Sequence, residues 1–186
     1  MPILRREDAV LVAVDFQAKL LPSIHDNDGM LRRTIRLIQG ARLLELPILV
    51  TEQYPRGVGP THPEVVVALG QNYKPIQKMT MSCLGEPAFT EALAATQRKQ
   101  VLLAGIEAHV CVHQTAADLI AAGYEVHLMT DCVSSRAERD VKLARRRAAQ
   151  MGAFLSGHET AVFEMLRIAG TPLFKEWIRI VHDVIE

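Results

Sequence analysis

The chain has 186 residues, 49% of them hydrophobic and 23% charged, which is typical of a globular protein with a buried core. This length favours a single domain over residues 1–186. Lysine plus arginine and aspartate plus glutamate both number 21, so no net field attracts nucleic acid or an anionic membrane, and we expect neither partner.

Three cysteines, an odd number, argue against a disulfide framework and favour a reducing compartment. The first residues lack an apolar secretory segment, and no apolar run reaches the length needed to span a membrane. We therefore expect a cytoplasmic protein, with an organelle matrix as the alternative.

Short apolar runs predict the strands. Residues Ala9–Val14 form a nearly all-apolar run that ends at Asp15, which indicates a strand buried on both faces. Further strands are predicted at Pro47–Val50, Lys74–Gln77, Gln100–Ala104, Glu125–Thr130 and Ala153–Leu155, of which Lys74–Gln77 has the weakest pattern.

Apolar residues at a helical period fill most of the intervals between the strands. The first helix is predicted at Met30–Leu44, with Asp28 as its N-cap. Two later helices are predicted to stop at Gly123 and Gly152. The remaining predicted helices are Phe89–Ala95, Val112–Ala122, Val141–Met151 and Pro172–Ile185, the last with Trp177 on its apolar side.

Strand and helix alternate along the chain, which predicts an α/β fold. We expect a three-layer, doubly wound and mostly parallel six-stranded sheet with helices on both faces. The one long irregular segment, Thr51–Pro63, is rich in proline and glycine and follows the second strand. It should lie at the carboxyl edge of the sheet, where open α/β folds bind ligands.

Three reactive side chains stand at or just after predicted strands. Asp15 closes the first strand, Lys78 follows the third, and Cys111 begins the helix after the fourth. If the strand order reverses next to the first strand, the first and fourth strands are neighbours and the three groups converge on one cleft. Each residue alone is more typical of a cap, a solvated lysine or a core thiol. Their combination predicts a nucleophilic site, because a thiol needs a base for its proton and a cation to balance the charge.

Cys111 is the candidate nucleophile. The positive end of the helix dipole at this position should favour the thiolate. His109 and His113 flank it, but residues two apart on a helix do not face each other, so His113 is a poor partner. His109 lies in the turn before the helix and is expected to line the pocket. Cys83 and Cys132 are interpreted as core residues.

The chain resembles the isochorismatase-like cysteine hydrolase superfamily along nearly all of its length. The resemblance is carried by Val14-Asp15-Phe16-Gln17 after the first strand, by Lys78, and by Gly105-Ile106-Glu107-Ala108-His109-Val110-Cys111-Val112. Three further segments, at 51–57, 131–136 and 152–156, look most like the isochorismatase domain-containing proteins of animals and their bacterial and protozoan relatives.

The resemblance implies a catalytic triad. Asp15 would act as general base, Lys78 would balance charge between carboxylate and thiolate, and Cys111 would be the nucleophile. The resemblance also implies a cis peptide bond between Ile106 and Glu107. The backbone N–H groups of Glu107 and Cys111 would then point at a developing oxyanion.

No metal or other cofactor is expected. Nicotinamidases of the superfamily hold a metal with an acidic residue and histidines after the second strand, whereas this chain offers Glu52 and, farther on, His62. The dense cluster at 25–28 is better explained by helix capping. Isochorismatase itself works without the cysteine nucleophile, so the presence of Cys111 favours amide chemistry.

The leading hypothesis is a hydrolase that cleaves an amide-like C–N bond of a small-molecule substrate through a thioester. The expected substrate pocket is lined by Phe16, Gln17, Tyr54, Met81 and His109, with ordinary loop and core packing as the alternative for these residues. A second hypothesis is a family member that keeps its triad but acts mainly as an oligomeric binding or assembly protein. Oligomers are usual in the resembled superfamily, so we expect a homo-oligomer.

Overall fold

The computed structural model describes residues 3–182, in which six parallel strands form one sheet flanked by helices. The α/β class predicted from the sequence is confirmed. The strands are β1 (Ala9–Val14), β2 (Ile48–Gln53), β3 (Pro75–Lys78), β4 (Gln100–Ile106), β5 (Glu125–Ser134) and β6 (Phe154–Ser156). The helices are α1 (Asn27–Leu43), α2 (Pro55–Val58), α3 (Pro63–Leu69), α4 (Pro87–Ala95), α5 (Cys111–Ala121), α6 (Glu138–Gln150), α7 (His158–Leu166) and α8 (Pro172–His182).

The strand order is β3-β2-β1-β4-β5-β6, so the winding reverses between β1 and β4. This reversal confirms the predicted neighbourhood of the first and fourth strands. The register aligns Val14 with Thr51 of β2 on one side and with Gly105 of β4 on the other. Gly105 has a φ of +147°, and a Cβ built there would lie 2.4 Å from the Val14 carbonyl oxygen. Glycine therefore allows β4 to approach the end of β1 this closely.

The sheet is buried on both faces. In β1 the side chains alternate, with Leu11 and Ala13 packing towards α1, α3, α7 and α8, and Val10 and Val12 towards α4, α5 and α6. Every residue of β1 is buried, which explains why the apolar run does not alternate with polar residues. Helices on both faces complete the predicted three-layer, doubly wound arrangement.

The segment Thr51–Pro63 is more ordered than its composition predicts. Its first residues extend β2 to Gln53, α2 occupies Pro55–Val58, and Pro63 begins α3. Both prolines stand in the first turn of a helix, where the N–H groups have no acceptor within the helix. Prolines that indicate a loop in the sequence therefore begin helices in the structure.

The start of the first helix also differs from the prediction. α1 begins at Asn27, so Asp26 precedes it and Asp28 is not its N-cap. Asp28 lies instead in the first turn, where the helix dipole favours an acidic side chain.

The later helices agree better with the sequence, with one omission. α5 and α6 end two residues before Gly123 and Gly152, as predicted. No helix is predicted at the position of α7. Trp177 is fully buried in α8, as predicted, while the last predicted residues of that helix, 183–185, lie outside the described residues. None of the helices within residues 3–182 is long and apolar enough to cross a membrane.

One part of β5 extends beyond its neighbour at the edge of the sheet. β6 pairs with only three residues of β5 and leaves Thr130–Ser134 beyond its end. Arg33 of α1 donates from Nε to the Asp131 carbonyl oxygen at 2.8 Å, and Arg145 of α6 donates to the Thr130 carbonyl oxygen. Guanidinium groups from both layers of helices therefore bind carbonyl groups of this stretch.

Candidate active site

Three segments bring an acid, an amine and a thiol to the carboxyl edge of the sheet. Asp15 directly follows β1 with a φ of +54°, Lys78 is the last residue of β3, and Cys111 is the first residue of α5. The Asp15 Oδ2 and Lys78 Nζ atoms are 2.8 Å apart, and both side chains are fully buried. The structure thus holds two of the three predicted residues in a tight ion pair.

The Lys78 ammonium is surrounded by acceptors. Besides Asp15, it contacts Gln53 Oε1 at 2.6 Å and the carbonyl oxygens of Met81 at 3.1 Å and Thr80 at 3.2 Å. Burial on its own would lower the pKa of Lys78, but the pKa is raised overall, and the negative charge of Asp15 is the largest of the effects that raise it. Lys78 therefore keeps its proton at neutral pH and acts as a fixed cation.

The Asp15 carboxylate is held from two sides. Its Oδ2 faces Lys78, and its Oδ1 accepts a hydrogen bond from the Thr51 hydroxyl at 2.7 Å. The Asp15 backbone N–H donates to the Thr51 carbonyl oxygen at 3.2 Å. These contacts fix the orientation of the carboxylate at the switch point of the sheet.

The Cys111 thiol faces this ion pair. It is 7% exposed, the Met81 sulfur lies 3.9 Å from Sγ, and the charges of both Asp15 and Lys78 act on it. Burial and the negative charge of Asp15 raise the pKa of Cys111 to about 12, since the opposing effect of Lys78 is smaller. The expectation that the thiolate is favoured at this position is therefore wrong for the resting site, because burial and the neighbouring carboxylate favour the protonated thiol.

The chain turns sharply between β4 and α5. The peptide bond between Ile106 and Glu107 is cis. The Glu107 carbonyl oxygen accepts a hydrogen bond from the Val110 N–H at 3.0 Å. The Glu107 carboxylate pairs with Arg136 Nε at 2.9 Å, which ties the turn to the residues just beyond β5. An oxyanion-binding role for the N–H groups of Glu107 and Cys111 stays a prediction.

The five residues expected to line the substrate pocket fall into two groups. Tyr54 and Met81 are 47% and 43% exposed, and His109 is partly buried in the turn before α5. Phe16 and Gln17 are buried, and their place in the substrate pocket stays a prediction. Phe16 packs in the core on the α1 side of the sheet.

Gln17 connects two segments of backbone. Its Oε1 accepts from the Gln53 N–H at 2.8 Å, and its Nε2 donates to the carbonyl oxygens of Gln53 at 3.0 Å and Gly59 at 2.5 Å. Both amide hydrogens and the amide oxygen of Gln17 therefore have backbone partners. The side chain holds the end of β2 against the segment after α2, and we call this set of bonds the Gln17 clamp.

Two residues that contact the ion pair, Thr51 and Gln53, were not predicted as site residues. The sequence pattern ends the second strand at Val50 and leaves both in a loop, whereas the structure places them in β2. A usable signal is their spacing, because residues two apart on a strand share a face. Thr51 and Gln53 use that shared face to reach Asp15 and Lys78 respectively.

Glu52, between them, is the acidic residue considered for a metal. Its Oε1 accepts hydrogen bonds from the Thr61 N–H and hydroxyl, both at 2.8 Å, and from the Tyr73 hydroxyl at 2.9 Å. Burial and the hydrogen bond to Glu52 raise the pKa of Tyr73, so the phenol stays a donor. Through these hydrogen bonds, Glu52 connects β2 to the later segments that contain Thr61 and Tyr73.

Within residues 3–182, one group of side chains has metal-binding atoms close enough to share an ion, namely Asp131, Cys132 and His158. Asp131 Oδ2 is 2.6 Å from His158 Nδ1, and the His158 backbone N–H donates to both carboxylate oxygens. Burial would raise the pKa of Asp131, but its hydrogen bonds to His158 and the charge of that residue lower it. Asp131 thus binds the first backbone N–H of α7 and the His158 ring, and Cys132 lies beside them as the next residue of β5.

Comparison with known proteins assigns the family. The family model described as the isochorismatase domain matches residues 9–160, which is most of the chain. The chain belongs to the isochorismatase family. Its fold is therefore that of an isochorismatase-family hydrolase domain.

Relatives in the isochorismatase family match along nearly the whole chain. Isochorismatase domain-containing protein 2A of Mus musculus is 39% identical over 178 residues, which are 95% of this chain and 84% of that protein. A structure described as MAR1 ribonuclease from Caenorhabditis elegans is 34% identical, with a TM-score of 0.91 over 97% of this chain and 92% of that chain. The YcaC gene product of Escherichia coli, described as an octameric hydrolase of unknown specificity, is 28% identical, with a TM-score of 0.86 over 90% of this chain and 84% of that chain.

Proposed function

We propose that this isochorismatase-family protein is a cysteine hydrolase that cleaves a small amide-like C–N bond through a thioester intermediate. The observation that carries the proposal is the buried Asp15–Lys78 ion pair, with its 2.8 Å contact, against the Cys111 thiol. A nucleophile, a base within hydrogen-bond reach and a cation that balances the charge are the groups that this chemistry needs.

In the first step, Cys111 attacks the carbonyl carbon of the substrate. Asp15 accepts the thiol proton, a sulfur–carbon bond forms, and the carbonyl electron pair moves to oxygen. The proton on Asp15 passes to the nitrogen as the C–N bond breaks, which releases the amine and leaves a thioester on Cys111. The backbone N–H groups of Glu107 and Cys111 would stabilise the oxyanion.

In the second step, water hydrolyses the thioester. Asp15 takes a proton from a water molecule, and the oxygen of that water attacks the thioester carbonyl carbon. The sulfur–carbon bond breaks, the acid is released, and the proton returns from Asp15 to the Cys111 sulfur. Each residue is then in its starting state.

The charges in the buried site explain the need for Lys78. Before the proton moves, the site holds a carboxylate, an ammonium and a neutral thiol. Afterwards it holds a neutral acid, an ammonium and a thiolate, so the net charge is zero in both states. Proton transfer therefore creates no unpaired charge in a region where such a charge is costly. The positive charge of Lys78 acts on both Asp15 and Cys111, so it can stabilise either anion.

The proposed substrate is a small molecule. Tyr54, Met81 and His109 are the pocket residues that keep an accessible surface, and we expect them to contact it. The C. elegans neighbour is described as a ribonuclease. Equal numbers of basic and acidic residues, 21 each, give this chain no net attraction for a phosphate backbone, so the proposal includes no nucleic acid partner.

The proposed assembly is a homo-oligomer in a reducing cytoplasm. The E. coli neighbour is described as octameric, and the cysteines Cys83, Cys111 and Cys132 are free thiols. A second candidate function follows from the assembly, in which the oligomer binds or organises other molecules while the triad is idle. Substrate turnover that depends on Cys111 is expected for the hydrolase and not for the binding or assembly protein.

The test is a panel of small aliphatic and aromatic amides, with amine release measured for wild type, Cys111→Ala and Cys132→Ala. Cys132 is a matched control, because it is a buried thiol that packs on the other face of the sheet from Cys111. We expect Cys132→Ala to retain activity and Cys111→Ala to lose roughly a thousandfold or more. Acid quenching should trap the acyl group on Cys111, detected by peptide mass spectrometry. Equal turnover by Cys111→Ala, or no cleavage by an intact wild-type oligomer, would favour the assembly function.

A further inference from the structure

The end of β2 places two neutral polar side chains against the two charged members of the triad. Thr51 and Gln53 are two residues apart on the strand and share a face, while Glu52 between them turns to Thr61 and Tyr73 on the other side. Both residues are thus directed into the site by the period of the strand.

The hydrogen-bonding groups of these two side chains match the charges that they face. The Thr51 hydroxyl donates to Asp15 Oδ1 at 2.7 Å, so a donor meets the carboxylate. The Gln53 amide oxygen accepts from Lys78 Nζ at 2.6 Å, so an acceptor meets the ammonium. A hydrogen bond to a charged group favours the charged form, and neither side chain adds a charge of its own.

The orientation of Gln53 is fixed by its other contacts. Its Nε2 donates to the Met79 carbonyl oxygen at 3.0 Å, which leaves Oε1 towards Lys78. The Gln17 clamp binds the backbone N–H and carbonyl of Gln53 at 2.8 and 3.0 Å, so the strand end cannot rotate without breaking these bonds.

The orientation of Thr51 is fixed in a similar way. Its carbonyl oxygen accepts from the Asp15 N–H at 3.2 Å, which holds the two residues side by side. The Cys83 sulfur lies 3.9 Å from Thr51 Oγ1 and is placed to donate to it, so the hydroxyl hydrogen of Thr51 is directed to Asp15.

We infer that Thr51 and Gln53 are positioning residues that keep Asp15 as a carboxylate and Lys78 as an ammonium, so that Cys111 holds the one mobile proton of the resting triad. A buried ion pair can otherwise neutralise itself by passing its proton from lysine to the acid. The surrounding acceptors oppose this transfer, because Gln53 Oε1 and the carbonyl oxygens of Thr80 and Met81 need the N–H groups of an ammonium. The inference rests on the proposed role of the triad and extends it to β2.

The test is the alkylation rate of Cys111 by iodoacetamide between pH 7 and 9, which needs no substrate and is resolved from Cys83 and Cys132 by peptide mass spectrometry. In Thr51→Val, Asp15 loses a donor and accepts the thiol proton more readily, so thiolate forms more often and alkylation should rise about tenfold. In Gln53→Glu, a second negative charge competes for Lys78 and opposes the thiolate, so alkylation should fall about tenfold.

Three control variants accompany these two. Thr51→Ser keeps the hydroxyl and should alkylate like wild type. Gln77→Glu adds the same charge at an exposed position of β3, next to Lys78, and Thr34→Val makes the same change at a buried threonine in α1. Both should leave the rate unchanged.

Opposite changes in the two variants support the inference, because a general loosening of the site would move both rates in the same direction. Equal rates in Thr51→Val and wild type, or changes of the same sign in Thr51→Val and Gln53→Glu, would overturn it. The amide panel decides the proposed function separately. If the two alkylation rates shift in opposite directions but no amide is cleaved, the positioning role is supported and the hydrolase function is refuted. If cleavage depends on Cys111 but the alkylation rates do not change, the hydrolase function is supported and the positioning role is refuted.

Discussion

Replacing Lys78 with methionine removes the buried cation and keeps a long apolar side chain. The fully buried Asp15 carboxylate then lacks its partner at 2.8 Å, and Gln53 Oε1 lacks its donor at 2.6 Å. Breaking a buried ion pair by removing one partner costs about 3–5 kcal/mol. We expect Lys78→Met to lower the free energy of unfolding by this amount at neutral pH.

Two further variants give the scale of this loss. Lys142 Nζ lies 2.8 Å from the Glu138 carboxylate with both side chains more than half exposed, so Lys142→Met should leave the free energy of unfolding close to that of the wild type. The double variant Asp15→Asn with Lys78→Met removes both buried charges. It should be more stable than Lys78→Met alone, because no unpaired charge is left in the site.

Urea unfolding at one fixed protein concentration measures these differences. The fluorescence of Trp177, the single tryptophan, reports unfolding because its side chain is fully buried in α8. If Lys78→Met and Lys142→Met lower the free energy of unfolding by the same amount, Asp15 and Lys78 are not a buried, coupled ion pair. A double variant that is no more stable than Lys78→Met would refute it as well.

Three other predictions concern stability. The pKa of Cys111 is raised from its ordinary value of 9.0 to about 12, so its contribution to stability is present below pH 9 and is lost as the pH rises towards 12. Cys111→Ala should therefore flatten the fall of the urea midpoint over this range, and an unchanged fall would contradict the raised pKa. Gln17→Ala removes the three bonds of the Gln17 clamp and should cost on the order of 2–3 kcal/mol in urea unfolding; a loss below about 1 kcal/mol would mean that the clamp is not needed. Asp131→Asn removes a negative charge from the start of α7 and should cost about 0.3–1 kcal/mol at pH 7. Because the pKa of Asp131 is lowered from 3.8, the wild type should unfold at a higher temperature than the variant above that pH, and this difference should shrink as the pH falls below it. A difference in unfolding temperature that does not change with pH would contradict this role of the Asp131 charge.

The apolar runs allowed the sheet to be predicted because burial on both faces leaves a simple pattern. Ala9–Val14 has the predicted bounds, since every position faces a layer of helices. The convergence of strand ends also followed from the sequence, because parallel strands put Asp15 and Lys78 at the same edge. The prediction needed residue types and topology alone.

The parts that could not be predicted depend on contacts that are remote in the sequence. Pro55 and Pro63 indicate a loop locally, and tertiary packing is needed to show that they begin helices. The protonation of Cys111 depends on how deeply the thiol is buried beside Asp15, which the position at a helix start does not reveal. Gln17 is predicted from the sequence to line the substrate pocket, whereas its hydrogen-bond partners at Gln53 and Gly59 belong to a segment that is remote in the sequence.

The stretch of β5 that extends past β6 bears on how copies of this chain can associate. A strand that extends past its neighbour presents backbone groups on which a foreign strand can pair, and such pairing leads to open-ended aggregates. Arg33 and Arg145 already bind two carbonyl groups there, one from each side of the sheet. A second chain could pair with this stretch of β5 only after displacing both guanidinium groups, so the two arginines protect it from strand addition.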